Sequence, residues 1–179
     1  MRLFLTGSPG VGKTTLIRAV LEGLEEINCA GFYTEEKRQR GQRVGFRIVA
    51  VDGQEGTLAS IGRKPPTIGR YSIHVEEFEK LALPQLDPEM TPADLYVIDE
   101  IGKMELLSQK FRNQLIDLLA RPSNLLATIA KKGKGFIEQI KGRNDIELTE
   151  VTRENRDRLS EEIANRIKAE LSTGSKGCD

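Results

Sequence analysis

A chain of 179 residues suits one domain with one catalytic site, and Lys plus Arg (27) balance Asp plus Glu (27), so no overall field draws it toward nucleic acid or an anionic membrane. Two cysteines, Cys29 and Cys178, and one histidine, His74, exclude a disulfide framework, a thiolate metal site and chemistry that needs a His pair. No apolar run approaches the roughly 20 residues that cross a bilayer, and the first residues lack a secretion signal, so a reducing, cytoplasmic setting without a membrane partner is expected.

Residues 2–6 read as a short buried strand, after which Leu16, Ile17, Val20, Leu21 and Leu24 recur at helical spacing. Val44, Phe46, Ile48 and Ala50 alternate instead, and Asp52-Gly53 leads into a second alternating run toward Ile61, which predicts an antiparallel hairpin. A brief strand and a short helix carrying Phe78, Leu81 and Ala82 follow, with His74 an ordinary strand or loop residue, and Pro84, Pro88 and Pro92 mark a connecting loop. The apolar run 95–98 ends in two acids and reads as a strand covered on both faces. Phe111, Leu115, Leu118 and Leu119 form the next helical stripe, residues 125–130 the next buried strand, and residues 146–151 a more polar one. Leu159, Ile163, Ile167 and Leu171 step along a C-terminal helix with Thr152 as its N-cap.

Strands alternating with helices predict an α/β fold: a three-layer sandwich with a mostly parallel sheet and an antiparallel hairpin inserted at about residues 40–62. A single domain is expected over residues 1–171, with 172–179 a disordered tail. Ligands of such sheets bind at the carboxyl ends of the strands, where both motifs below fall.

The first motif directly follows the first strand. Gly7, Ser8, Pro9, Gly10, Val11, Gly12, Lys13, Thr14 and Thr15 contain G-x-x-x-x-G-K-[ST], the Walker A pattern of P-loop proteins, in the required context of strand before and helix after. Glycines let the backbone turn through positive φ and present successive N–H groups to phosphate oxygens, and the helix N-terminus adds its dipole there. Lys13 supplies a point charge to the β and γ phosphates, and Thr14 offers a hydroxyl to Mg²⁺. These residues predict a nucleoside-triphosphate cradle.

The second motif is the strand end LYVIDE, residues 95–100. A carboxylate beside a glycine loop can hold the shell of Mg²⁺, the role assigned to Asp99, and Glu100 can point at the γ-phosphate to orient and deprotonate water. No N/T-K-x-D guanine-reading motif occurs, and only six residues precede the glycine loop where many ATP-specific relatives read adenine. A loosely read base is expected.

With GFYTEE (31–36), RVGF (43–46) and VTRENRD (151–157), the stretch VIDEIGKMEL (97–106) resembles the small nucleoside-triphosphatase family with thermophilic archaeal and bacterial members and the cancer-related nucleoside-triphosphatase. The glycine loop is shared by many families, whereas DEIGKMEL is far more specific, and the resemblance spans residues 2 to about 171. It implies a RecA-like or AAA-like core of the catalytic-glutamate division. It also implies Mg²⁺-dependent release of phosphate from ATP, GTP, CTP, UTP and TTP, and it supports Lys13, Thr14, Asp99 and Glu100 in the roles above.

Phosphoryl transfer also profits from a cation on the γ-phosphate, worth up to ~10³ to 10⁵ in rate for an arginine finger. Lys103 and Arg156 are the candidates, against readings as a solvated loop lysine and a helix-surface arginine. Thr128 senses the γ-phosphate or caps a strand. Arg43, Arg47 and the KKGKG loop (131–135) either flank the nucleotide or form solvated faces, the latter being the favoured reading. A monomer that binds nucleoside triphosphates but not nucleic acid is expected. Beside the hydrolase stand a nucleotide or small-molecule kinase and a slow nucleotide-dependent switch; Glu100 favours the hydrolase, because a kinase must keep activated water from the γ-phosphate.

Overall fold

The computed structural model describes residues 1–174. The first strand, β1 (Arg2–Thr6), turns Leu3 and Leu5 to one face and Phe4 to the other, and all three are buried. A strand apolar on both faces belongs in the middle of a covered sheet. β1 pairs in parallel with β8 (Leu125–Ile129) on one side and β9 (Glu147–Glu150) on the other. β8 continues in parallel to β7 (Leu95–Ile101), and β7 to β2 (Cys29–Gln39). From β2 the same sheet runs on, antiparallel, through β3 (Gln42–Ala50), β4 (Glu55–Ile61), β6 (Tyr71–Ile73) and β5 (Thr67–Ile68).

Helices cover both faces, as the sandwich reading required. α1 (Lys13–Glu22) and α5 (Arg156–Gly174) bury Leu16, Ile17, Val20, Ile163 and Ile167 against Leu3, Leu5, Leu95 and Val97. On the opposite face α2 (Val75–Gln85), α3 (Gln109–Ala120) and α4 (Phe136–Lys141) pack on Phe4, Phe32, Tyr96 and Ile98. There Phe32, Phe78 and Phe111 meet edge to face with ring centroids 5.3 to 6.0 Å apart. Each such fully buried side chain contributes about 1.5–3 kcal/mol of transfer free energy. The seam between β2 and β7 requires glycine at 31: its φ is +118°, and a Cβ there would stand 1.9 Å from the Val97 carbonyl oxygen.

Several local expectations change. The hairpin is part of a longer antiparallel extension whose first arm is β2 itself, and the charged run 35–40 breaks the alternation that would have marked it. Pro84 lies inside the last turn of α2, so the connecting loop starts after Gln85. Thr152 does not cap α5. Its hydroxyl accepts from Glu154 N at 3.3 Å in a turn one step earlier, and Asn155 Oδ1 accepts from Thr152 N at 2.7 Å. α5 extends through 172–174, where a tail was expected; residues 175–179 of that tail lie outside the described residues.

Candidate active site

The glycine loop joins β1 to α1 at the carboxyl edge of the sheet. Gly12, the residue preceding α1, has φ +106°, a conformation L side chains rarely adopt, and it lets the chain turn from strand into helix so that Lys13 opens the first turn. The loop is braced from behind. Arg156, at the start of α5, donates from Nη1 to the Val11 carbonyl oxygen at 3.1 Å, and a Cβ on Gly7 would stand 2.7 Å from Val151 O. Lys13 Nζ reaches back to Gly7 O at 3.4 Å, within the loop's own curve.

Two strands away, β7 delivers the acids. Its register with β8 slips by one residue between Ile98 and Ile101, a bulge that contains Asp99 and Glu100 and gives the two carboxyls different outlooks. Asp99 is buried at 1% exposure, and Thr128 Oγ1 of β8 donates to its Oδ1 at 2.7 Å. Among the described residues Oδ2 has no hydrogen-bond partner. Burial pushes the Asp99 carboxyl above the usual carboxylate range, against the pull of the Thr14 and Thr128 hydroxyls, the Lys13 charge and the Thr34 backbone. Glu100 lines the cleft instead, and its carboxyl is also raised, by burial first and by Asp99, with Lys13 opposing.

An orphaned, buried carboxylate oxygen beside the Thr14 hydroxyl suits a hard divalent cation. Among the described residues no group of three or more His, Cys, Asp or Glu could hold a metal ion by itself. Mg²⁺ at Asp99 and Thr14 would therefore take further oxygens from nucleotide phosphates and water, its usual arrangement with phosphate substrates.

The cleft between these motifs has a volume of about 1070 Å³. Residues 7–10 and 12–15 form one wall; Thr34, Glu35 and Glu36 of β2 with Arg43 and Phe46 of β3 form the other. Glu100 stands between them, and Ala130, Lys131 and Lys132 close the end beyond β8. Arg18 bridges the walls through Glu35 at 2.8 Å, and Glu35 is held from the far side by Arg47 at 2.5 Å. A neighbouring hollow of about 620 Å³ around Leu21, Cys29 and Tyr33 shares Arg18 but none of the glycine loop.

Glu105 was not singled out from the sequence. It lies in the 3-10 turn Glu105–Leu107, is 4% exposed, and accepts from Gly102 N through Oε2 at 3.2 Å. Burial first, then the charges of Glu100 and Asp99, push its carboxyl up to about 8. A Cβ on Gly102 would stand 3.0 Å from both Glu105 Oε2 and Glu100 Oε1, so the two acids flank one backbone atom. The only sequence signal was an acid set in the otherwise apolar run that follows GK.

A family model described as NTPase matches residues 2–164. The chain belongs to the NTPase family. Within this NTPase family it is 42% identical over 169 residues to the nucleoside-triphosphatase THEP1 of Thermotoga sp. (strain RQ2), covering 94% of this chain and 96% of that protein. It is also 42% identical over 183 residues to the human cancer-related nucleoside-triphosphatase, covering 93% and 96%. The crystal structure of THEP1 from the hyperthermophile Aquifex aeolicus superposes with a TM-score of 0.83 at 37% identity, covering 91% of this chain and 96% of that one. The α/β architecture read from the sequence is thus that of the family.

The fold brings Lys13, Thr14, Asp99, Glu100 and Thr128 together around one cleft end. It does not bring Lys103 there; that side chain is exposed and is not among the cleft-lining residues. Arg156 touches the glycine loop as a brace rather than lining the cleft. Of the residues that either flank the nucleotide or form solvated faces, Arg43, Lys131 and Lys132 line the cleft, whereas Arg47 pairs with Glu35 and Glu55 behind its wall.

Proposed function

We propose that this protein hydrolyses nucleoside triphosphates to diphosphate and phosphate, with Mg²⁺, and with little preference among ATP, GTP, CTP, UTP and TTP. The observation that carries the reading is Glu100: a carboxylate at the end of β7 that lines the same cleft as Lys13 and the glycine loop, with Asp99 beside it turned inward to Thr128. The names of the relatives, nucleoside-triphosphatases in bacteria and in human, support the same chemistry.

Each group has a step. Backbone N–H groups of the glycine loop and the N-terminus of α1 hold the phosphates, and Lys13 shares its charge between the β and γ groups. Asp99 and Thr14 would hold Mg²⁺, which supplies charge neutralisation on the phosphate oxygens when bound. Glu100 orients a water in line with the γ-phosphorus and takes its proton as the new P–O bond forms and the bridging P–O bond breaks. The diphosphate leaves with the bridging oxygen. Nothing in the chain supplies the N/T-K-x-D guanine reader, which supports a loosely read base.

Phosphate release from a panel of ribo- and deoxyribonucleoside triphosphates, with Mg²⁺ and then with a chelator, tests the reading. Turnover of several triphosphates that stops on chelation is expected. Preference for one base by tenfold or more would sink the broad specificity, and nucleotide binding without phosphate release would sink the hydrolase. The second outcome would favour a kinase, whose acceptor has room in a cleft walled beyond the phosphates by Thr34, Arg43 and Phe46.

A further inference from the structure

Among the described residues, one cation lining the cleft besides Lys13 is left without an anionic partner. Arg18 is paired with Glu35 at 2.8 Å, Arg43 with Glu36 at 2.9 Å, and Lys131 with Glu150. Arg156 is engaged with Val11 O at 3.1 Å and Asp157 at 3.3 Å. Each of these cations already holds an acid or a backbone carbonyl, so none of them is left free to meet an arriving anion. A triphosphate brings several further negative charges to the cleft, and more charge moves onto its oxygens as the bond breaks.

Lys132 lines the cleft and, among the described residues, has no hydrogen bond or ion pair. Its backbone is held on both sides. Lys131 is tied by its side chain to Glu150, and its carbonyl oxygen accepts from Lys141 Nζ at 2.9 Å. Gly133 lies so close to α4 that a Cβ would stand 2.4 Å from Ile137 Cδ1. The loop leaves the carboxyl end of β8, the strand beside β7 and its Glu100. A fixed backbone with a long, unpaired, cationic side chain suits a group that meets an anion arriving in the cleft.

We propose that Lys132 is a catalytic residue whose ammonium contacts the γ-phosphate and stabilises the charge that develops there during hydrolysis. This role rests on the hydrolase reading above. It replaces Lys103 and Arg156 as the second cation: the first is not on the cleft, and the second supports the loop from behind.

The test compares the full-length chain with Lys132→Ala, Lys132→Arg and Lys134→Ala, the last a same-loop charge deletion outside the cleft lining. Turnover, affinity for a non-hydrolysable triphosphate, and affinity for diphosphate plus aluminium fluoride, which mimics the transferring phosphoryl group, are measured with thermal unfolding as a fold check. Lys132→Ala is expected to lower kcat about tenfold or more, with triphosphate affinity within about threefold. It should weaken the aluminium fluoride complex in parallel, while Lys132→Arg keeps most of the activity and Lys134→Ala matches wild type. Lys132→Ala with unchanged kcat, an equal loss in Lys134→Ala, or a loss confined to triphosphate affinity would overturn the role. If wild type releases no phosphate, the hydrolase reading fails by itself, and the aluminium fluoride comparison still decides whether Lys132 meets the phosphoryl group.

Discussion

Thr128 donates from Oγ1 to Asp99 Oδ1 at 2.7 Å, a bond between two neighbouring parallel strands with both side chains buried. It orients the carboxylate so that Oδ2 is left over. Replacing Thr128 by the near-isosteric valine strands a desolvated acceptor, at a cost of about 1–3 kcal/mol. We expect urea unfolding of Thr128→Val to show that loss, and the Mg²⁺ concentration needed for half-maximal hydrolysis to rise. Wild-type stability in the variant would mean that the bond contributes nothing.

Asp99 itself separates stability from function. Burial disfavours its charged form, so neutralising it removes a desolvation cost while Oδ1 can still accept from Thr128. Asp99→Asn should be as stable as wild type or more so, and should lose hydrolysis by about 10² or more. A variant that unfolds more easily contradicts the burial cost, and one that retains turnover contradicts the assignment of this carboxylate to the cation.

Glu105 gives a pH signature. Its carboxyl titrates near 8 in the fold against 4.5 for an unburied glutamate, so between those values the folded chain holds a proton the unfolded chain has released. Its contribution to stability is therefore greatest below about pH 4.5, declines as pH rises, and levels off above about 8. Glu105→Gln removes that decline while keeping an acceptor for Gly102 N. Denaturant unfolding should show the variant gaining on wild type between pH 5 and 9, by roughly 3 to 5 kcal/mol at the upper end. Parallel pH profiles for the two proteins would contradict the shift.

The core strands and the glycine loop were legible because each carries its own signal. Arg2–Thr6, Leu95–Ile98 and Leu125–Ile129 are short apolar runs, and the loop is fixed by backbone needs that only certain residues meet. What escaped depended on contacts between distant segments. Arg156 touches Val11 across 145 positions, and Lys131 and Lys132 reach the cleft because β8 lies between β7 and β1 in the sheet. A strand order is not written in periodicity. Glu105 was hidden for another reason: its burial comes from the turn after Glu100, and an acid in an apolar run reads as a solvent-facing residue until that turn is known.

For Glu100 as the base that activates water, the deciding measurement is single-turnover and steady-state phosphate release by Glu100→Gln beside nucleotide affinity. Gln keeps the size and hydrogen-bonding reach of the side chain but cannot take a proton from water. We predict affinity within about threefold of wild type and a fall in kcat of about 10² or more, the share general-base catalysis usually supplies. A Glu100→Gln variant that binds nucleotide and hydrolyses it at the wild-type rate would contradict the assignment, and the water would have to be activated elsewhere in the cleft.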